Sequence, residues 1–338
     1  MEILDRINAT SATPVYLQVA DAILSGIETG TLKRDRQLPS INELSENNYL
    51  SRDTVEKAYQ VLRKRGVIVS VKAKGCYVSD TFTSSTYKVL LLLNKVSAYK
   101  KAVYYSLLKA LGDNAVVDLH IHHFDGKICE SLLQEHLAKY QYVAIMPHFN
   151  KNIESAKQAI RKIPKEKLLL LDKSLEGFEG KCAAVYQDFE RDIRKALHSG
   201  KDLLSKYERL TLVHPEHIPY PIEIVKGFRH FCCENSIEHS VTGAIRPDMD
   251  FQGTAFVVLD ESDLVELIEL GRAKGLVTGK DYGIVSYNDT PLKEVLENGI
   301  TVISTDHEKM GETAAHMIKN KLKEQVSNPF TLIRRNSL

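Results

Sequence analysis

The first periodicity in the chain is helical. From Pro14 to Gly30 the apolar residues Leu17, Ala20, Ile23, Leu24 and Ile27 recur three or four apart, which puts them on one helix face, and Gly30 ends the pattern. Ser40, followed three residues later by Glu43, forms a capping-box pattern, so a second helix is predicted from about Ile41, with Ile41 and Leu44 turned inward. After a polar turn at residues 47–50, Ser51 is placed to cap a third helix whose inner face is Val55, Ala58, Tyr59 and Leu62. Two short helices joined by a tight turn make a helix-turn-helix. Past Gly66 the period drops to two. Val67, Val69 and Val71 alternate, residues 72–75 make a turn and residues 76–78 return, which predicts a β-hairpin with a basic tip, a wing.

Residues 79–87 (SDTFTSSTY) lose all periodicity and read as a linker between a head at 1–78 and a second domain at 88–338. Beyond it, apolar runs alternate with amphipathic stretches. Strands are predicted at 89–93, 116–121, 142–146, 168–171, 183–186, 210–213, 254–259, 282–286 and 301–303, with helical stretches between most of them. Strands separated by helices imply parallel sheets covered on both faces, an α/β class. So many strands do not fit one compact sheet, and two lobes are expected.

Net charge adds a location. The whole chain carries only +1, but residues 31–79 hold ten Lys and Arg against five Asp and Glu, whereas residues 1–30 hold one against four. A basic segment of that kind suits phosphate contact, although charged runs are often only solvated faces. No apolar run approaches the ~20 residues of a membrane span, and the first ten residues (MEILDRINAT) lack the apolar core of a secretory signal, so a cytoplasmic protein is expected. Five cysteines, Cys76, Cys129, Cys182, Cys232 and Cys233, show neither metal-ligand spacing nor a disulfide framework and are expected to be reduced.

The head carries a resemblance on top of its pattern. Residues 13–78 contain "LPS-x-x-EL", "SR-x-TV", "L-x-x-x-G" and "G-x-Y-V" in order and without a gap, and the segment resembles the GntR family of bacterial winged helix-turn-helix regulators. The resemblance implies double-stranded operator DNA as partner, with Ser40, Ser51, Arg52 and Thr54 at phosphates or base edges and Lys74 and Gly75 in the wing at the minor groove. Asn42, Asp53, Lys57 and Lys72 belong to the same expected face. A helix N-terminus offers free N–H groups to phosphate, and an arginine such as Arg52 can grip guanine through two bonds. The alternative for Arg52, Lys72 and Lys74 is ordinary solvated surface. Many members have Arg where this chain has Asn42 and often where it has Glu56, which implies an altered operator preference and fewer phosphate contacts.

The second domain resembles the LacI-type sensor, whose fold is shared with periplasmic sugar-binding proteins. Residues 282–318 (YGIVSYNDTPLKEVLENGITVISTDHEKMGETAAHMI) and the closing TLIRRNSL strand carry the resemblance, with weaker echoes at LLLLD, VYQDFER, KGF and VVLDESDL. It implies an effector between two lobes, held by Asp172, Arg191, Phe228, Asp260 and Asn288. Carboxylates accept from hydroxyls, Arg donates and an aromatic face covers C–H bonds, which suits a polyol. Each has a plainer reading: Asp172 as a strand-end turn, Arg191 as exposed helix, Phe228 as core. The run Asp118, His120, His122 alternates on a strand, but without a supporting Cys or Glu no metal is expected; His123 or Asp125 touching the effector is the better guess.

The expected fold is therefore α/β, an N-terminal winged helix-turn-helix plus a two-lobed periplasmic-binding-protein-like domain with parallel sheets. No Gly-rich phosphate loop, G-x-S-x-G elbow or H-E-x-x-H is present, so no catalytic residue, cofactor or metal is expected. The expected function is a homodimeric regulator of a carbohydrate operon. Arabinose-sensing regulators share this pairing of head and sensor, so a pentose or deoxyhexose such as arabinose or fucose is the leading effector, with a larger or phosphorylated sugar as an alternative. The rivals are a sugar-binding protein with a disabled DNA head and a GntR-type fusion enzyme.

Overall fold

The computed structural model describes residues 14–338 apart from 29–30, 34–35, 65, 73, 80–86, 113–114, 176, 179–181 and 217. The chain divides into two compact units, residues 1–86 and 87–338. Gly30, most of the linker and the first thirteen residues lie outside the described residues.

In the first unit, α1 (Val15–Glu28), α2 (Ile41–Asn47) and α3 (Arg52–Lys64) precede a hairpin of β1 (Ile68–Val71) and β2 (Gly75–Val78). The capping box at α2 is complete: the Glu43 backbone N–H donates to Ser40 Oγ (3.2 Å) and the Ser40 N–H donates to Glu43 Oε2 (2.7 Å). Ser51 accepts from the Thr54 N–H (3.1 Å) and so starts α3. Val19, Ile23, Leu44, Val55, Ala58, Tyr59 and Leu62 close over one another as a core of their own. The hairpin departs from simple alternation: Val67 and Ile68 are buried, whereas Val69 and Val71 lie exposed on its open face.

The second unit holds two six-stranded sheets. Lobe one is built from β3 (Tyr87–Leu93), β4 (Ala115–Ile121), β5 (Tyr142–Ile145), β6 (Leu168–Asp172), β7 (Ala183–Tyr186) and β13 (Gln325–Ser327), all parallel in the order β13-β7-β6-β5-β3-β4. Helices α4 (Ala98–Leu111) and α12 (His307–Asn320) cover one face; α5 (Gly126–His136) and α6 (Ile153–Arg161) cover the other. Lobe two orders β14 (Phe330–Ile333), β12 (Thr301–Thr305), β11 (Gly283–Tyr287), β10 (Thr254–Val258), β8 (Arg209–Val213) and β9 (Glu238–Thr242), parallel except for β14. Helices α7 (Phe189–Ser199) and α9 (Glu223–Glu234) pack on one side, with the short α8 (Lys201–Leu204) following α7, and α10 (Glu261–Ala273) packs on the other. A short α11 (Pro291–Val295) follows β11.

All nine predicted strands are present. Sheets buried on both faces read as continuous apolar runs, such as the fully buried Leu90, Leu91 and Leu92. Among the described residues no helix is long and apolar enough to cross a membrane.

Candidate functional site

Two regions of the molecule have the form of sites. The first is the exposed N-terminal end of α3 with the wing. Ser40, Asn42, Ser51, Arg52, Asp53, Lys57, Lys72, Lys74 and Gly75 are all exposed and Thr54 is half-buried. The Ser51 and Thr54 hydroxyls lie 2.7 Å apart, and Lys57 forms an ion pair with Asp53 one turn earlier on α3 (2.7 Å). That pair ties up part of the positive charge of Lys57. Gly75 sits at φ +103, where the wing reverses, and an added Cβ would meet Gln37 Nε2 at 3.0 Å. The Gln37 amide donates to Lys74 O (2.7 Å) and so pins the wing to the segment before α2. Tyr49 has no signal in the sequence reading: it occupies the turn between α2 and α3 at φ +53 with its side chain 99% exposed.

The second region is a cleft between the lobes, lined by residues of both. Asp172 and Asn288 both line it, and both are left-handed (φ +70 and +61) at the carboxyl ends of β6 and β11. Asp and Asn tolerate that backbone region best among residues with a side chain, so the turn and the site ask for the same residue types. Strained positions beyond parallel strand ends are where open α/β sheets place ligands.

Around Asp172 the floor is a network of buried polar groups. Its carboxylate accepts from His148 Nε2 (2.8 Å) and from the Gln187 amide, and Lys100 Nζ lies 3.9 Å away. Lys100, although charged, is only 4% exposed; it also donates to Asn94 Oδ1 and faces Met146 Sδ. Burial pulls the Lys100 ammonium down to about 8, against the pull of Asp172. Burial alone raises the Asp172 carboxyl, but the hydrogen bond from His148 and the charge of Lys100 beside it outweigh that and hold it below the usual range. Burial lowers both His148 and His307, the latter to about 4, so neutral imidazoles face the cleft at neutral pH. Aromatic rings complete the walls. Tyr99 packs on His307 (5.0 Å between centroids), and Lys95 of lobe one reaches over the Tyr220 ring of lobe two (5.7 Å).

The other three expected effector residues are not in the cleft. Phe228 is a correction: at 0% exposure it is packed in the lobe-two core between α7, α9 and the sheet, and its helical apolar spacing explains why. Arg191 is exposed on the first turn of α7, where Phe189 rather than Arg191 lines the cleft. Asp260 caps α10 by accepting from the Ser262 N–H (3.0 Å), a local job that uses its short carboxylate. Asp125 likewise caps α5 (2.8 Å to the Lys127 N–H), His123 is exposed, and the aromatic residue between them, Phe124, is the one that lines the cleft. Asp118, His120 and His122 diverge to Tyr140, His136 and Met146 O, and among the described residues no acid, His or Cys cluster is arranged for a metal. Asn94 and His148 were within reach of the sequence, since they follow β3 and β5 as Asp172 ends β6. Lys100, on an amphipathic helix, carried no such signal.

Known proteins match these two regions separately. Residues 15–78 match the family profile "Bacterial regulatory proteins, gntR family", and residues 205–338 match the "Periplasmic binding protein-like domain". The HTH-type transcriptional regulator GgaR of Escherichia coli (strain K12) is 32% identical over 81 residues, 24% of this chain and 33% of that protein. The arabinose metabolism transcriptional repressor of Geobacillus stearothermophilus is 38% identical over 66 residues, 20% of this chain and 18% of its own. The matched part thus spans about a third or less of each relative. In fold, the trehalose repressor from Escherichia coli superposes with a TM-score of 0.61 at 14% identity, over 74% of this chain and 100% of that one.

Proposed function

We propose that this chain, a gntR-family winged helix-turn-helix joined to a periplasmic-binding-protein-like domain with the fold of LacI-type repressors, is a transcriptional regulator whose grip on operator DNA is set by a small sugar. The observation that carries the reading is the pairing, in one chain, of an exposed cap-led α3 beside a basic wing with a polar interlobe cleft. The N-terminus of α3 offers unpaired N–H groups to a phosphate, and Arg52 stands there free to reach a guanine edge. Lys72 and Lys74 follow the backbone from the wing, and Ser40 and Asn42 do so from α2. The exposed acids Asp53 and Glu56 on the same helix reduce the phosphate attraction and make base contacts carry more of the affinity.

In this reading the ligand of the cleft is a pentose or deoxyhexose. Asn288 and Asp172 approach it from opposite lobes, so a bound ligand favours one lobe arrangement over another. A homodimer would then present its two heads at a different spacing, and DNA affinity changes only to the extent that the ligand binds the two arrangements unequally.

The test is operator binding by the purified protein, measured by anisotropy on DNA from upstream of its own gene, with and without monosaccharides. Arg52→Ala should cost about 1–3 kcal/mol of operator binding. An unchanged affinity removes α3 from the DNA interface. Asn288→Ala should leave DNA binding intact and blunt the response to ligand; a normal response takes Asn288 out of the site.

A further inference from the structure

We infer that the ligand of the cleft carries an acid group, so that the effector is an anionic sugar, a sugar acid or a sugar phosphate, rather than a neutral one. The inference rests on the proposed reading of the cleft as a sugar site and adds the charge of the ligand. Its basis is the balance of donors and acceptors on the walls.

Asp172 is the one carboxylate lining the cleft among the described residues, and it is already occupied. The Gln187 amide donates to Oδ1, His148 donates to Oδ2, and the Lys100 ammonium lies beside the same oxygen. Two cations line the same space. Lys100 is buried and shares its charge with Asp172 alone; Lys95, half-buried at the mouth, rests on the face of Tyr220 and has no carboxylate within ion-pair distance among the described residues. Further donors converge there. The Tyr287 hydroxyl, on a side chain 4% exposed, has no partner in the structure, and the Asn288 amide projects from the opposite lobe. Among the buried, unpartnered side-chain atoms of the lining, Gln187 Oε1 is an acceptor beside the Tyr287 hydroxyl.

A neutral polyol leaves the charge of such walls unmatched: two lysines line the cleft against one carboxylate, which already accepts from His148 and Gln187. A carboxylate or phosphate brings acceptors only, satisfies Tyr287, Asn288 and the lysines together, and neutralises the extra positive charge that closure would otherwise desolvate. The acid group would sit near Lys95 and Lys100, with the hydroxyls toward Asn288 and Gln187.

The experiment is titration calorimetry of the full chain against matched sets: ribose, ribose 5-phosphate and ribonate; arabinose, arabinose 5-phosphate and arabinonate; and inorganic phosphate alone. At least one acid-bearing member should bind about ten-fold or more tightly than its neutral parent, the size expected of one added charge-assisted bond. The phosphate and carboxylate arms decide which acid. Lys95→Met keeps the aliphatic stem over Tyr220 and should bring that ratio below about three-fold; Lys100→Met should do the same, and Lys95→Met decides alone if the buried variant does not fold. Neutral sugars binding as well as their acids, or a ratio unchanged by Lys95→Met, overturns the inference while leaving the sugar site standing. Inorganic phosphate binding as tightly as any sugar phosphate overturns the sugar reading and keeps the anion site. No binding in any arm overturns both.

Discussion

Two histidines of the sensor, His122 and His307, are held neutral by burial, each with its protonation pushed down to about 4. The Nε2–H of His122 donates to Met146 O (3.0 Å) and its other ring nitrogen meets no partner, so the ring has room for one proton only. The unfolded chain takes up protons at these side chains near pH 6.5, the folded chain not until about pH 4. Between those values the unfolded state binds more protons, and stability falls as pH falls. His148 acts in the same sense, while Asp192, raised by burial to about 6, gains its proton in the folded state and offsets part of the loss. Each histidine contributes on the order of 1–2 kcal/mol. Melting the full chain should show a sensor transition several degrees lower at pH 5 than at pH 7.5; an equal or higher one would mean that water reaches these rings. Residue types alone gave no warning of this cluster. Asp172 stood out because strand-end acids are conspicuous, but that its carboxylate is spent on His148, Gln187 and Lys100 depends on three elements meeting, which no local window contains.

At the scale of elements, local chemistry was easiest to read where it closes within a few residues. The Ser40–Glu43 box and the Ser51 cap are three-residue geometries and appear as expected. Two strands, β9 and β13, escaped for a common reason. Each is a sheet edge, β9 reading Glu-His-Ser-Val-Thr and β13 only three residues, so neither has an apolar run to announce it. Helix contacts were legible only as motif echoes whose physical cause the packing supplies. In the run Met310-Gly311, the glycine lets α12 lie directly on α4. A Cβ there would come within 2.0 Å of Ser106 Oγ and 2.5 Å of Val103 O. Gly227 does the same for α9 on α7, facing Glu190 O at 2.2 Å. Gly311→Ala should therefore force the two helices apart at a cost of about 1–3 kcal/mol. Differential scanning calorimetry should show the sensor transition lowered and the head's unaffected; a sensor that melts as before would mean the contact relaxes without strain.

Across the whole sensor, the two lobes are joined by three passes of the chain, at Gln187–Asp188, at Asp306 and at Asn328–Pro329, since β7, α12 and β13 belong to lobe one and α7, β12 and β14 to lobe two. The number of strands made two lobes foreseeable. The triple crossing was not, because β13 left no trace in the hydrophobic pattern. One buried residue ties the passes together. The Asn328 amide donates to Thr305 Oγ1 (2.7 Å) and Asp306 O (2.8 Å), its backbone N–H donates to Tyr186 O (2.8 Å), and the Asp306 N–H donates to Pro329 O (2.9 Å). The neighbouring pass carries Gln187, whose backbone N–H and side-chain amide both donate to Asp172 on the cleft floor. Any ligand that draws on Asp172 or Gln187 therefore pulls on a crossing, and through Asn328 on all three. Asn328→Ala removes the two side-chain hydrogen bonds to Thr305 Oγ1 and Asp306 O, which should cost about 1–3 kcal/mol and lower the sensor melting point by roughly 2–10 °C. The passes also define how the lobes meet around the ligand, so the same variant should bind the best ligand of the calorimetric series at least about three-fold more weakly at a temperature where both proteins are folded. A variant that melts early yet binds with full affinity would assign Asn328 to stability alone and place the coupling between cleft and lobe arrangement in Gln187 and Asp172.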